Sequence, residues 1–183
     1  MKSGQKTAVL AAVLMAAGVM CGQETRRVVK HPVTAEDSKA NSSAVPDAIA
    51  LSGQFDRVVV IRLKYKANLL DGMKKVVAEQ HIQNGVILSA VGSLRGYEIH
   101  TVSGRELPAE ETYVKNPTQA VDLVSMNGYV INGRIHAHMT VATPDRVIAG
   151  HVEPGNEVLT FAIVTIGVMN GTDLSRVDDA TYR

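Results

Sequence analysis

The sequence predicts an α+β domain in which a mostly antiparallel β-sheet packs against one main helix. Three observations lead to this class. One amphipathic helical pattern, residues 69–80, stands between runs of β-prone residues. The second half of the chain is rich in β-branched residues, and it contains two turn signals, Asn132-Gly133 and Pro144-Asp145. A helix followed by a series of strands is typical of α+β architecture.

The first 21 residues are predicted to be a secretory signal peptide. Lys2 and Lys6 precede an apolar run, residues 7–20, that is short for a membrane-spanning helix. Export to the periplasm or the cell envelope is therefore expected. Cys21 follows directly, where a bacterial lipoprotein carries its lipidated cysteine, and lipidation there and ordinary cleavage nearby remain alternatives. Membrane attachment is expected only through such an anchor.

Residues 22–52 are predicted to be a flexible linker, because they are rich in Ser, Ala, Asp, Glu, Lys and Pro without an apolar period. The folded domain is expected over residues 53–183. The chain has 19 basic and 18 acidic residues. Because residues 1–21 hold two lysines and no acid, their removal leaves a slight acidic excess. Such a charge gives no field that attracts nucleic acid.

The elements of the domain follow from local patterns. Asn68 is predicted to cap the helix, with Asp71 in its first turn. The predicted strands share β-branched, apolar sequence and cover residues 55–63, 86–91, 94–102, 120–131 and 157–167. Gly92-Ser93 is expected to separate the predicted strand of residues 86–91 from that of residues 94–102. Residues 103–118 are expected to form a solvated loop, whose Glu106, Glu110 and Glu111 are weaker candidates for a metal site. The last strand is expected to be buried on both faces.

The candidate functional residues lie in a predicted hairpin, residues 133–152. Side chains alternate along a strand, so His136 and His138 share the face opposite Ala137 and Met139. A loop that closes symmetrically about Pro144-Asp145 places His138 opposite His151. The same register places Glu153 opposite His136. Opposed Cβ atoms lie roughly 4.5–5.5 Å apart, so the three imidazoles are expected to converge.

Three converging neutral imidazoles are typical of a metal site with one open position, and zinc is the favoured ion. Iron, copper and nickel also accept imidazole ligands. The same cluster can instead be a hydrogen-bonded or solvated group, or a protonation switch. Glu153 is a tentative catalytic residue: a fourth ligand, a group that orients a ligand, or a general base. A solvated carboxylate at a strand end is the simpler interpretation.

Three spans of the sequence, GVILSAVGSLRGYEI, GYVINGRIHAHMTVATPDRVIAGHV and EVLTFAIVTIG, resemble the PPC (plant and prokaryote conserved) domain, which plant AT-hook proteins share with stand-alone bacterial proteins. The resemblance covers residues 54–183. It implies a compact α+β domain that assembles as a homotrimer. Carried over to this chain, the histidines of the family are His136, His138 and His151.

The chain also departs from the family pattern. It has no R-G-R-P hook, so no residues carry the DNA-binding role of the plant members. Lys66-Ala67-Asn68 stands where the family often has G-E-D, so any role that the two acidic residues have in the family has no equivalent side chains here. Ala149 stands where a second glycine usually precedes the histidine of the G-H element.

The leading hypothesis is an exported, trimeric protein that binds a divalent metal through three histidines and acts as a metalloenzyme on a small molecule. The alternative is a non-catalytic module that binds another envelope protein or a ligand. DNA binding is a third, less favoured hypothesis, because neither the charge nor the predicted export supports it.

Overall fold

A single antiparallel sheet dominates the computed structural model, which describes residues 22–40 and 42–178. The predicted signal peptide and Cys21 lie outside the described residues. The described strands are β1 (Glu24–Val29), β2 (Arg57–Lys64), β3 (Gly85–Leu94), β4 (Tyr97–Val102), β5 (Glu110–Asn116), β6 (Val121–Ile131), β7 (Arg134–Ala142), β8 (Val147–Val152) and β9 (Val158–Val168). Their order across the sheet is β1-β5-β4-β8-β7-β6-β3-β9-β2. A mostly antiparallel sheet with one α-helix is thus confirmed for the described residues.

The helix α1 (Leu69–Glu79) begins where the sequence predicts. The side chain of Asn68 accepts a hydrogen bond from the backbone N–H of Asp71 at 3.0 Å, which satisfies one free donor of the first turn. Leu69, Met73 and Val77 are buried in the core with the inward side chains of the sheet. No helix among the described residues, α1 included, is long and apolar enough to cross a bilayer.

The segment before the domain contains structure that the sequence analysis did not predict. Glu24–Val29, assigned to a flexible linker, forms β1 and pairs with β5 over its whole length. β5 itself lies in the stretch predicted as a loop, so that prediction is wrong for Glu110–Asn116. The two errors have one cause: each strand is polar and is stabilised by the backbone hydrogen bonds of its neighbours rather than by an apolar pattern.

The predicted break at Gly92-Ser93 is also wrong, because β3 continues to Leu94 and the turn falls at residues 95–96. Gly92 has a φ of +152°, and a Cβ there would overlap the backbone of Phe161 and Ala162 on β9. The glycine therefore allows two strands to approach closely at a bulge instead of ending one of them.

Candidate metal centre

The β7–β8 hairpin has the register that the sequence predicts. His138 lies opposite His151, and Met139 lies opposite Gly150. The tight turn is closed by a hydrogen bond from the N–H of Thr143 to the carbonyl of Arg146 at 2.9 Å. The hydroxyl of Thr143 also donates to the Asp145 carboxylate at 2.5 Å. These contacts stabilise a loop with an even number of residues. His138 lies opposite His151 only if the loop length is even.

The three predicted histidines meet on one face of the sheet. One ring nitrogen from each of His136, His138 and His151 lies within 4.8 Å of the other two. The ring of His151 stands almost perpendicular to those of His136 and His138, at centroid distances of 4.9 and 5.2 Å. His136 and His138 are exposed and His151 is half-buried, so the cluster is open to solvent on one side. This arrangement fits a cation with three imidazole ligands and an open position.

Glu153 does not lie opposite His136 as predicted. β8 ends at Val152, whose neighbour is Ile99 of β4, and the chain leaves the hairpin there. A carboxylate oxygen of Glu153 instead contacts Nδ1 of His100 at 2.6 Å. The tentative catalytic role of Glu153 therefore has a different geometric basis, since its partner is a histidine on the other neighbouring strand.

His100 is the main residue of the site that the sequence analysis missed. It lies opposite His151 in the β4–β8 pairing, and the two ring centroids are 4.6 Å apart. A single polar row thus crosses six neighbouring strands. From β6 to β1 it consists of Asn127, His138, His151, His100, Tyr113 and Arg26. The guanidinium of Arg26 lies 4.5 Å from the centroid of the Tyr113 ring and ends the row.

Glu111 is the second carboxylate beside His100. An oxygen of this buried side chain lies 3.6 Å from Nε2 of His100, and it also forms an ion pair with Lys30 at 3.0 Å. Tyr113 donates its hydroxyl to Glu111 at 3.1 Å. Burial raises the pKa of Glu111, but the hydrogen bonds from Lys30 and Tyr113, together with the electrostatic effects of His100 and Lys30, lower it by more, and the net shift is downward. Glu110, by contrast, pairs with Arg27 at the sheet edge.

The electrostatics keep the deepest imidazole neutral. Burial, followed by the neighbouring His100, His136 and His138, lowers the pKa of His151 to about 4. Burial is also the largest cause of the lowered pKa of His138. A neutral imidazole has a free lone pair, and metal ligands need that lone pair. The cluster is therefore prepared to bind a cation at neutral pH without first losing a proton at His151.

The same shifts predict how stability depends on pH in the metal-free protein. The unfolded chain protonates His151 near pH 6.5, whereas the folded chain does so only near pH 4, so the unfolded state binds more protons between these values. The melting temperature in a chelating buffer is expected to be constant above about pH 6.5 and to fall as the pH drops toward 4. Thermal denaturation across this range in wild type and His151→Asn tests this, and an equally steep fall in the variant would contradict it.

A cavity of about 560 Å³ opens beside the cluster. Its walls include the three histidines together with His100, Glu111, Tyr113 and Lys30. The site therefore combines imidazole, carboxylate, phenol and ammonium groups around a space large enough for a small molecule. Lys30, the residue after β1, contributes part of this wall, although it lies far from the hairpin in sequence.

A model of the Plants and Prokaryotes Conserved (PCC) domain family, the PPC domain of the sequence analysis, matches residues 50–170. A curated relative, the bifunctional protein GlmU of a Synechococcus strain, is 25% identical over 137 residues. The match covers 74% of this chain but only 21% of that much longer protein.

Solved structures with the same fold include a metal-containing protein from Archaeoglobus fulgidus, with 17% identity and a TM-score of 0.56. The match covers 67% of this chain and 86% of that protein. A PPC protein from Pyrococcus horikoshii is 18% identical with a TM-score of 0.55, covering 66% and 85% of the two chains. At these identities the likeness establishes the fold alone.

Proposed function

Since this chain belongs to the Plants and Prokaryotes Conserved domain family, we propose that it binds a divalent transition metal through His136, His138 and His151. The observation that carries the proposal is the convergence of one nitrogen from each ring to within 4.8 Å on an exposed face. The metal content of the Archaeoglobus fulgidus protein, which has a similar fold, adds support.

Zinc is the proposed ion, because three imidazoles with one open position are a common donor set of zinc sites. When bound, the cation supplies Lewis acidity beside the cavity. The protein's own groups define what reaches it: His136 and His138 face solvent, and Lys30 and Tyr113 line the approach. A small polar molecule is therefore the proposed ligand class, and reaction on such a molecule is the proposed activity.

Metal retention tests the proposal directly. Untagged wild-type protein, purified without chelator and dialysed, is expected to retain at least one zinc ion per chain by elemental analysis, since three neutral imidazoles converge without any rearrangement of the backbone. The control variant His81→Asn is expected to retain as much zinc as wild type. It removes an exposed histidine outside the cluster, at a backbone position (φ 51°) that asparagine tolerates. Protein that retains no metal and takes up none on titration with zinc would refute the proposal.

We also propose that the chain forms a homotrimer and that the outer face of four neighbouring strands is its interface. Exposed apolar side chains on this face include Val60 of β2, Phe161 of β9, Val91 of β3 and Val124 of β6, which are 39–64% exposed. Monomeric proteins rarely leave so many neighbouring apolar side chains in water. Tyr129 of β6 pairs with His136, so this face adjoins the histidine cluster.

A charged side chain introduced on this face is expected to dissociate the trimer into monomers. Val91→Lys places an ammonium group in the proposed interface, where burying it without a partner is costly, and the variant is expected to elute as a folded monomer. Val33→Lys is the matched control, because Val33 is 78% exposed and lies outside the sheet. Light scattering coupled to size-exclusion chromatography gives the masses. A wild type with the mass of one chain would contradict the trimer, and an unchanged mass in Val91→Lys would contradict the interface.

Export remains part of this proposal. The lysines and the apolar run of residues 1–21 support it. The proposed site of action is the periplasm or the cell envelope.

A further inference from the structure

The polar row contains a second group of ligands beside the first. One ligand atom from each of His100, His151 and Glu153 lies within 4.8 Å of the other two. We infer that these residues hold a second divalent cation, so that the centre takes two ions that share His151. The inference rests on the proposed function, because the first ion uses the same imidazole.

The position of His151 allows the two ions to share it. It lies between His138 on β7 and His100 on β4 and is opposite both of them in the sheet. An imidazole ring has two nitrogens that point in different directions, and each can donate a lone pair once its proton has left. Binding of the second ion therefore releases the remaining ring proton of His151 to solvent.

The contact between His100 and Glu153 is the strongest feature of the second position. Nδ1 of His100 and the carboxylate oxygen are 2.6 Å apart, with both side chains less than one-fifth exposed. Two atoms that each lie about 2.1 Å from a tetrahedral zinc are about 3.4 Å apart, so the ion replaces the hydrogen-bonded proton after a separation of about 0.8 Å. Glu153 follows the end of β8, and its backbone N–H donates to the carbonyl of Glu98 at 3.2 Å, so the shift falls on the carboxylate side chain and not on the backbone.

Charge also favours a second cation here. Before the second ion binds, His136, His138 and His151 are neutral ligands of the first ion, and the loss of the ring proton of His151 then adds one negative charge between the two ions. Glu153 and Glu111 place two carboxylates around His100, while Lys30 is the cation paired with Glu111. A second divalent ion next to the first meets less repulsion when carboxylates flank it.

Zinc stoichiometry tests the second position. By equilibrium dialysis against zinc alone, the untagged wild-type protein is expected to saturate at two ions per chain. His100→Ala and His136→Ala are each expected to saturate at one, because each removes a ligand of one position only. Glu153→Gln keeps a group that hydrogen-bonds to His100 but removes the charge, and it is expected to lose the second ion as well. His81→Asn is the matched control and is expected to bind two.

The failures of the two proposals differ in this experiment. Wild-type protein that saturates at one ion, lost in His136→Ala and kept in His100→Ala, overturns the second position and leaves the first intact. Two ions retained in both His100→Ala and Glu153→Gln overturn it as well. Wild-type protein that binds no zinc overturns the three-histidine site itself. Circular dichroism of each variant ensures that a lost ion reflects a lost ligand and not an unfolded chain.

Discussion

Replacing His151 by alanine is expected to lower zinc affinity by more than about 100-fold. Loss of a residue that merely orients a ligand costs about 10- to 100-fold, and loss of a direct ligand exceeds that range. His151 is the best single target because it belongs to both groups of candidate ligands. The affinity is measured by competition with a chromogenic chelator, and the wild-type protein is compared under identical conditions.

The fold is expected to survive this substitution. Burial holds the pKa of His151 near 4, so at neutral pH the change removes an uncharged ring and leaves no charge of its own uncompensated. Circular dichroism and the melting temperature in chelator check this expectation. Zinc affinity within a few-fold of wild type in folded His151→Ala protein would show that the histidine cluster is not the metal site.

Replacing Gly128 by alanine is expected to lower the free energy of unfolding by about 3 kcal/mol or more. Gly128 lies in β6 between β3 and β7, with a φ of +147° that side-chain-bearing residues rarely adopt. A methyl group there would overlap the carbonyl oxygen of His136 on the adjacent strand. Because backbone cannot move aside as a side chain does, the β6–β7 pairing must separate, and the imidazoles of β7 move with it.

Gly171→Ala is the matched control. A Cβ at Gly171 meets nothing within 4 Å. Its effect is expected to stay within about 0.5 kcal/mol. Urea denaturation gives both values, and zinc titration of Gly128→Ala at low temperature gives the effect on the site. Equal stability of the two variants would contradict the close approach of β6 and β7 on which the position of His136 depends.

The part of the site that could be predicted is the part encoded locally. The alternation around His136 and His138 places both rings on one face, and the turn at Pro144-Asp145 determines which residue opposes His138. Both signals lie within about twenty residues, so pattern and turn chemistry suffice. The helix was predictable for the same reason, since the cap at Asn68 and the apolar spacing after it are local.

His100 could not be found in this way. The sequence correctly places it in a strand, but its pairing with His151 joins residues 51 positions apart and depends on the order of the whole sheet. The alternation of Tyr97 and Ile99, both buried, indicates only that His100 points away from the core. Glu153 was misplaced because a register extrapolated past the end of β8 takes no account of where that strand leaves the ladder.

β1 limits how far the domain could lie from the membrane if Cys21 carried a lipid anchor. With residues 22–52 as a free tether, an anchored domain would range far from the bilayer, but β1 starts at Glu24 and is held against β5. Two residues then separate Cys21 from Glu24, so their Cα atoms lie at most about 11 Å apart. Lys30, which lines the cavity, and Arg26, which packs on the ring of Tyr113, would then lie near the phospholipid headgroups. In an anchored molecule the cavity would therefore lie close to the membrane surface.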